Sequence, residues 1–91
     1  MTFVVYGTSA CANCKALVSM AKARGIEPVY HLIDSDPALY DQFRELADLN
    51  FGLGATVQLP FVVITGKDVS SVHTGMQGGM EALKFYQSIK E

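Results

Sequence analysis

The 91-residue sequence predicts an α/β fold, a four-stranded mixed sheet flanked by three helices in the order β-α-β-α-β-β-α. Three observations carry that expectation. Short apolar runs rich in β-branched residues recur along the chain, as in strands covered on both faces. Between them lie stretches whose apolar residues step at helical spacing. A tight Gly66-Lys67-Asp68 segment separates the last two strand candidates, as in a hairpin.

Each element has its own warrant. Thr2–Tyr6 (TFVVY) is a short apolar strand, broken by Gly7-Thr8-Ser9. A helix over Cys11–Arg24 follows, with Leu17, Met20, Ala21 and Arg24 in helical register and Gly25 as its stop. Pro28–Asp34 is the second strand. Asp36-Pro37 opens the second helix as N-cap and first helical residue. Leu39, Phe43, Leu46 and Asn50 carry that helix from Pro37 to about Leu49. Asn50–Gln58 is a loop with two glycines. Pro60–Thr65 (PFVVIT) is a third strand, with proline at its first residue, where strands tolerate one. Its apolar character places it at the sheet centre. Val69–Thr74 returns as a fourth, edge strand. Gly75–Gly79 (GMQGG) reads as a loop before a final helix from Met80, with Ala82, Phe85, Tyr86 and Ile89 as its apolar stripe.

Strands joined through a helix are parallel with a right-handed crossover, whereas a tight hairpin pairs its strands antiparallel. The resulting architecture is thioredoxin-like in its minimal form. The chain reads as one domain over residues 1–91, with no repeat or linker. A formal charge of −2 and a pI of about 5.6 disfavour nucleic acid as a partner. No apolar run approaches the roughly 18–20 residues that span a bilayer. The N-terminus lacks a basic start and a cleavage site, which points to a cytoplasmic protein. Disulfides that merely staple a fold are rare there.

Both cysteines of the chain, Cys11 and Cys14, stand in one C-x-x-C at the junction of a buried strand and a helix start. The first turn of a helix offers unpaired N–H groups and partial positive charge, which stabilise a thiolate. The thiolate is the species that attacks a disulfide. Cys11, nearer the helix end, is therefore the nucleophile, and Cys14, one turn deeper, the resolving thiol. A zinc site would need two more ligands, and only His31 and His73 remain, far apart in sequence, so no metal is expected. Leu59-Pro60 joins a loop to a buried strand. A backbone left open there could pair with a substrate strand. Gly78-Gly79-Met80-Glu81 would expose N–H groups to an anion if it opened a helix, although Glu81 could merely favour the helix dipole. Tyr6, at the end of the first strand, fits the core and an active-site wall equally well.

Three segments, VVYGTSACANCKAL, QLPFVVI and GGMEAL, occur in this order at these distances, and together the chain resembles a glutaredoxin over nearly its full length. The resemblance implies a thiol–disulfide oxidoreductase with Cys11 as nucleophile and Cys14 as resolving thiol. It implies a cis peptide before Pro60. It also implies glutathione as reductant, with no tightly bound cofactor: the Leu59 backbone pairs with glutathione, Gly79, Met80 and Glu81 hold its γ-glutamyl end, and Tyr6 stands nearby. The chain departs from the family in having Ala12 and Asn13 between the cysteines, Glu81 in place of aspartate, and no lysine ahead of Cys11. QLPFVVI also resembles the glutaredoxin-like redoxins that reduce ribonucleotide reductase and are recharged by thioredoxin reductase. A third reading is a carrier of an iron–sulfur cluster between two subunits. Disulfide-bearing proteins are the expected partners and a monomer the expected state.

Overall fold

A computed structural model describes residues 1–90. Its elements are β1 (Thr2–Gly7), α1 (Ala12–Ala23), β2 (Pro28–Leu32), α2 (Pro37–Phe51), β3 (Phe61–Thr65), β4 (Ser70–Thr74) and α3 (Gly75–Lys90). The sheet runs β2-β1-β3-β4. β1 is parallel to β2 and antiparallel to β3, and β4 returns antiparallel to β3. The expected topology is present, with β3 inside the sheet and β4 at its edge.

Alternation along the two central strands divides the core. Phe3 and Val5 of β1 and Val62 and Ile64 of β3 face one side, against Leu17, Val18 and Ala21 of α1 and Ala82, Leu83 and Tyr86 of α3. Tyr6, Phe61 and Val63 face the other side, against Phe43 and Ala47 of α2. A period-two strand buried on both faces requires apolar residues at nearly every position, which is why these strands read as continuous hydrophobic runs.

The helix ends follow local chemistry. Cys11 is the N-cap of α1, so the helix proper begins at Ala12. Gly25, with φ of +78°, turns the chain out of it, a conformation that glycine adopts without steric cost. Asp36 caps α2 by accepting the Ala38 N–H at 2.9 Å, and Pro37 follows at the first helical position. α2 runs two residues beyond the expected Leu49. The loop after it is tied back to the helix: Gly54 N–H donates to Asp48 and Arg44 donates to the Ala55 carbonyl.

One boundary differs in a way that matters. α3 starts at Gly75, not Met80, so GMQGG is helical. Glycines are poor helix formers, but here tertiary contacts override propensity. The Gly75 N–H donates to the Pro60 carbonyl at 3.0 Å, which anchors the helix start to β3. Gly79 lies directly on Leu17 of α1: a β-carbon at Gly79 would come 2.6 Å from Leu17 Cδ2. The glycine lets α3 approach α1 closely.

Candidate active site

Cys11 and Cys14 form a disulfide at the end of β1 and the start of α1, with Cα atoms 5.3 Å apart. Cys11 is half-buried and Cys14 wholly buried. The Cys14 N–H donates to Cys11 Sγ at 3.1 Å. That amide belongs to the first turn of α1, where no intrahelical acceptor exists for it. Cys11 sulfur therefore occupies the acceptor position of a helix cap, the place where a negative charge is best accommodated.

Gly7 forms the floor beneath the inner sulfur. A β-carbon there would lie 2.5 Å from Cys14 Sγ and 3.0 Å from Tyr30 Cε1. Only a residue without a side chain lets β1 pass beneath the dithiol at this distance.

The loop between Gly7 and Cys11 is held at two points from the β2 side. The Tyr30 hydroxyl donates to the Thr8 carbonyl at 2.6 Å, and the Cys11 N–H donates to the same oxygen at 3.2 Å. Asp34 accepts the Ser9 N–H (3.2 and 3.1 Å to its two oxygens) and the Ser9 hydroxyl (2.7 Å). These bonds, the hydroxyl's first, hold the Asp34 carboxyl below its ordinary range. Burial, and then the Asp34 charge, push the Tyr30 phenol above its ordinary range. Neither Tyr30 nor Asp34 is signalled by local sequence, because each acts on residues more than twenty positions away.

The peptide before Pro60 is cis, as expected. Pro60 is buried, and among the described residues nothing hydrogen-bonds the Leu59 N–H or C=O. Next to it, where β4 meets α3, lies a groove of about 320 Å³ whose polar lining includes Gln58, Thr74, Gln77 and Glu81, with Phe51 and Val72 as apolar wall. Its lining contains no lysine or arginine. His73 on its margin is depressed by burial, partly offset by the Glu81 charge.

The structure separates the other expected contacts. Tyr6 turns to the α2 face, where its ring packs with Phe43, Phe61 and His31. It is a core residue, because alternation along β1 sends it to the opposite face from Phe3 and Val5. Gly79 lies on Leu17 and Met80 packs on the α1/α3 core. Both sit within α3, beyond its free N-terminal amides. Of the Gly79-Met80-Glu81 segment, only Glu81 reaches the groove.

Comparison with known proteins agrees with the fold. The glutaredoxin family model matches residues 3–69. Glutaredoxin-C5 of Oryza sativa subsp. japonica is 36% identical over 70 residues, covering 76% of this chain. The chain spans about half of that protein's length, 52%. Glutaredoxin-C13 of Arabidopsis thaliana is 32% identical over 91 residues, covering 94% of this chain and 85% of the relative. No solved structure gives a significant match.

Proposed function

The chain belongs to the glutaredoxin family of thiol–disulfide oxidoreductases, and on that premise we propose that it reduces protein disulfides by the dithiol route. The observation that carries this reading is the unequal pair: an accessible Cys11 whose sulfur takes a helix-cap hydrogen bond, and a fully buried Cys14 bonded to it. In the reduced protein the Cys11 thiolate attacks one sulfur of a substrate disulfide and expels the other as a thiolate, which takes up a proton. The mixed disulfide is then attacked at Cys11 Sγ by the Cys14 thiolate, after Cys14 has given up its proton. The substrate leaves as a dithiol, two electrons richer, and the Cys11–Cys14 disulfide remains. A substrate segment lying extended against Leu59 would use the free N–H and C=O there for main-chain pairing.

For the step that restores the dithiol, we propose a flavoprotein reductant of the thioredoxin-reductase kind. Glutathione carries two carboxylates and one ammonium, and a site that holds it strongly pairs the carboxylates with cations or free amides. The groove beside Pro60 offers the Leu59 N–H and the first amides of α3 to the carboxylates, and Glu81 to the ammonium, but neither lysine nor arginine, while the Cys11 loop carries Asp34. Lys15, on the exposed side of α1, is the nearest cation in sequence. Family membership favours the second reading, glutathione itself, with Leu59 and Glu81 as its contacts. Ribonucleotide reductase is a candidate protein substrate under either.

Oxidised protein is mixed either with NADPH and thioredoxin reductase or with reduced glutathione, and thiol appearance is followed. Rapid reduction by the enzyme alone is the expected result. Reduction by glutathione alone transfers the assignment to the second reading. Cys14→Ser should still form mixed disulfides but lose reduction of protein disulfides. Wild-type turnover by that variant would overturn the dithiol route.

A further inference from the structure

We propose that Asp34 is a positioning residue for the dithiol: it holds the Thr8–Cys11 turn so that Cys11 sulfur faces the Cys14 N–H. The inference rests on Cys11 being the attacking thiol. Five polar contacts close this turn. Its ends are joined by the Cys11 N–H to Thr8 carbonyl bond, and the same carbonyl takes the Tyr30 hydroxyl. Its second residue, Ser9, is held through both backbone and side chain by the Asp34 carboxylate. Nothing else in the described structure bonds the Ser9 N–H or hydroxyl.

The turn leads straight into Cys11, whose backbone is extended (φ −82°, ψ 100°) and not helical. That conformation points Sγ back over the first turn of α1. A turn released at Ser9 frees the Cys11 backbone to rotate, and the sulfur then loses the Cys14 amide. A thiolate stabilised less titrates higher and is scarcer at neutral pH. The Asp34 negative charge has the opposite sign of effect, since an anion near the site disfavours a thiolate. Position and charge can therefore be separated by substitution. Asp34 lies exposed on the turn after β2, so its replacement leaves the core untouched.

The test compares wild type with Asp34→Ala, Asp34→Asn and Ser9→Ala, all as the full chain. The Cys11 thiolate is titrated by alkylation rate against pH in a Cys14→Ser background, and amide exchange at Ser9 and Cys11 is measured in the oxidised protein. Asp34→Ala should raise the Cys11 midpoint by about half a pH unit, roughly a threefold loss of thiolate below the midpoint, and should speed exchange at both amides. Ser9→Ala, which keeps the two N–H contacts, should do so less. Asn keeps a carbonyl oxygen for Ser9 and should restore slow exchange without raising the midpoint. Equal titration and exchange in Asp34→Ala and wild type would overturn the proposal. So would a downward midpoint shift shared by Asp34→Ala and Asp34→Asn, because the carboxylate would then act by charge alone. A wild-type Cys11 that titrates like an ordinary thiol would instead refute its role as attacking thiol, and the exchange measurement would still decide whether Asp34 holds the turn.

Discussion

The two faces of the sheet are built differently. On one, two helices seal the strands, and Phe3, Val5, Leu17, Ile64 and Leu83 are all shielded from water. On the other, α2 works alone with an aromatic cluster of Tyr6, Phe43 and Phe61, and its margins leave Tyr40, Leu49, Phe51 and Leu53 largely exposed. The dithiol sits at the end of the sealed face: Cys14 lies over Gly7, and Leu17, one turn further along α1, is pressed on Gly79. Close packing is therefore concentrated under the dithiol. The other face carries the chain back to Leu59, through a loop whose hydrogen bonds to α2 run, among the described residues, to Asp48 and Arg44 and whose Val57 and Leu59 pack on the aromatic cluster.

Core truncation should expose this difference most strongly. Phe3→Ala should cost about 3–5 kcal/mol, since the surrounding helices cannot collapse onto the void. Phe43→Ala should cost less, about 3 kcal/mol or below, because half-exposed Tyr40 and partly buried Leu46 can move into the space. Urea denaturation of both variants checks the order, and equal losses would show that the faces are equally rigid.

A smaller contrast lies within α3. Gly79→Ala pushes a methyl into the side chain of Leu17, which is fully buried. Even after the gain in helix propensity, a net loss of about 1–2 kcal/mol is expected. Gly78→Ala meets nothing closer than 3.4 Å and should gain up to about 1 kcal/mol from propensity. Thermal melts of these neighbours should move in opposite directions.

The smallest effect is one of pH. Burial lowers the His73 pKa below its ordinary value of 6.5, so the unfolded chain binds the proton more readily. Stability from this residue is complete above 6.5 and declines as pH falls through the lowered folded value. His73→Gln should flatten the stability–pH curve in that window. Asp34 and Asp48, held low by their bonds to Ser9 and Gly54, should add a second decline below 3.8.

Much of this was legible in local sequence because local physics sets it. The Asp36-Pro37 cap, the Gly25 stop and the apolar strands each depend on a few adjacent residues. The C-x-x-C pair carries its own spacing, whereas the cis bond before Pro60 was legible only through the family resemblance, since the dipeptide alone favours trans. What escaped depends on distant partners. The GMQGG segment looks like loop until Leu17 and the Pro60 carbonyl are beside it. Tyr6 is ambiguous until the sheet assigns its face. The Asp34–Ser9 and Tyr30–Thr8 contacts leave no periodic trace, since each is a single side chain reaching across to another element.

The dithiol and its supports also divide along the chain. Gly7, the Thr8–Cys11 turn, Cys14, Tyr30 and Asp34 all lie within the first 34 residues. The open Leu59 backbone, Pro60 and the groove from Phe51 to Glu81 belong to the second half. On the proposed reading, electron chemistry and partner choice fall to separate stretches of the chain. One can drift, be shuffled or be redesigned while the other is left intact. Exchanging residues 52–60 and 70–81 between relatives should then transplant a preference for partners without transplanting a reactivity.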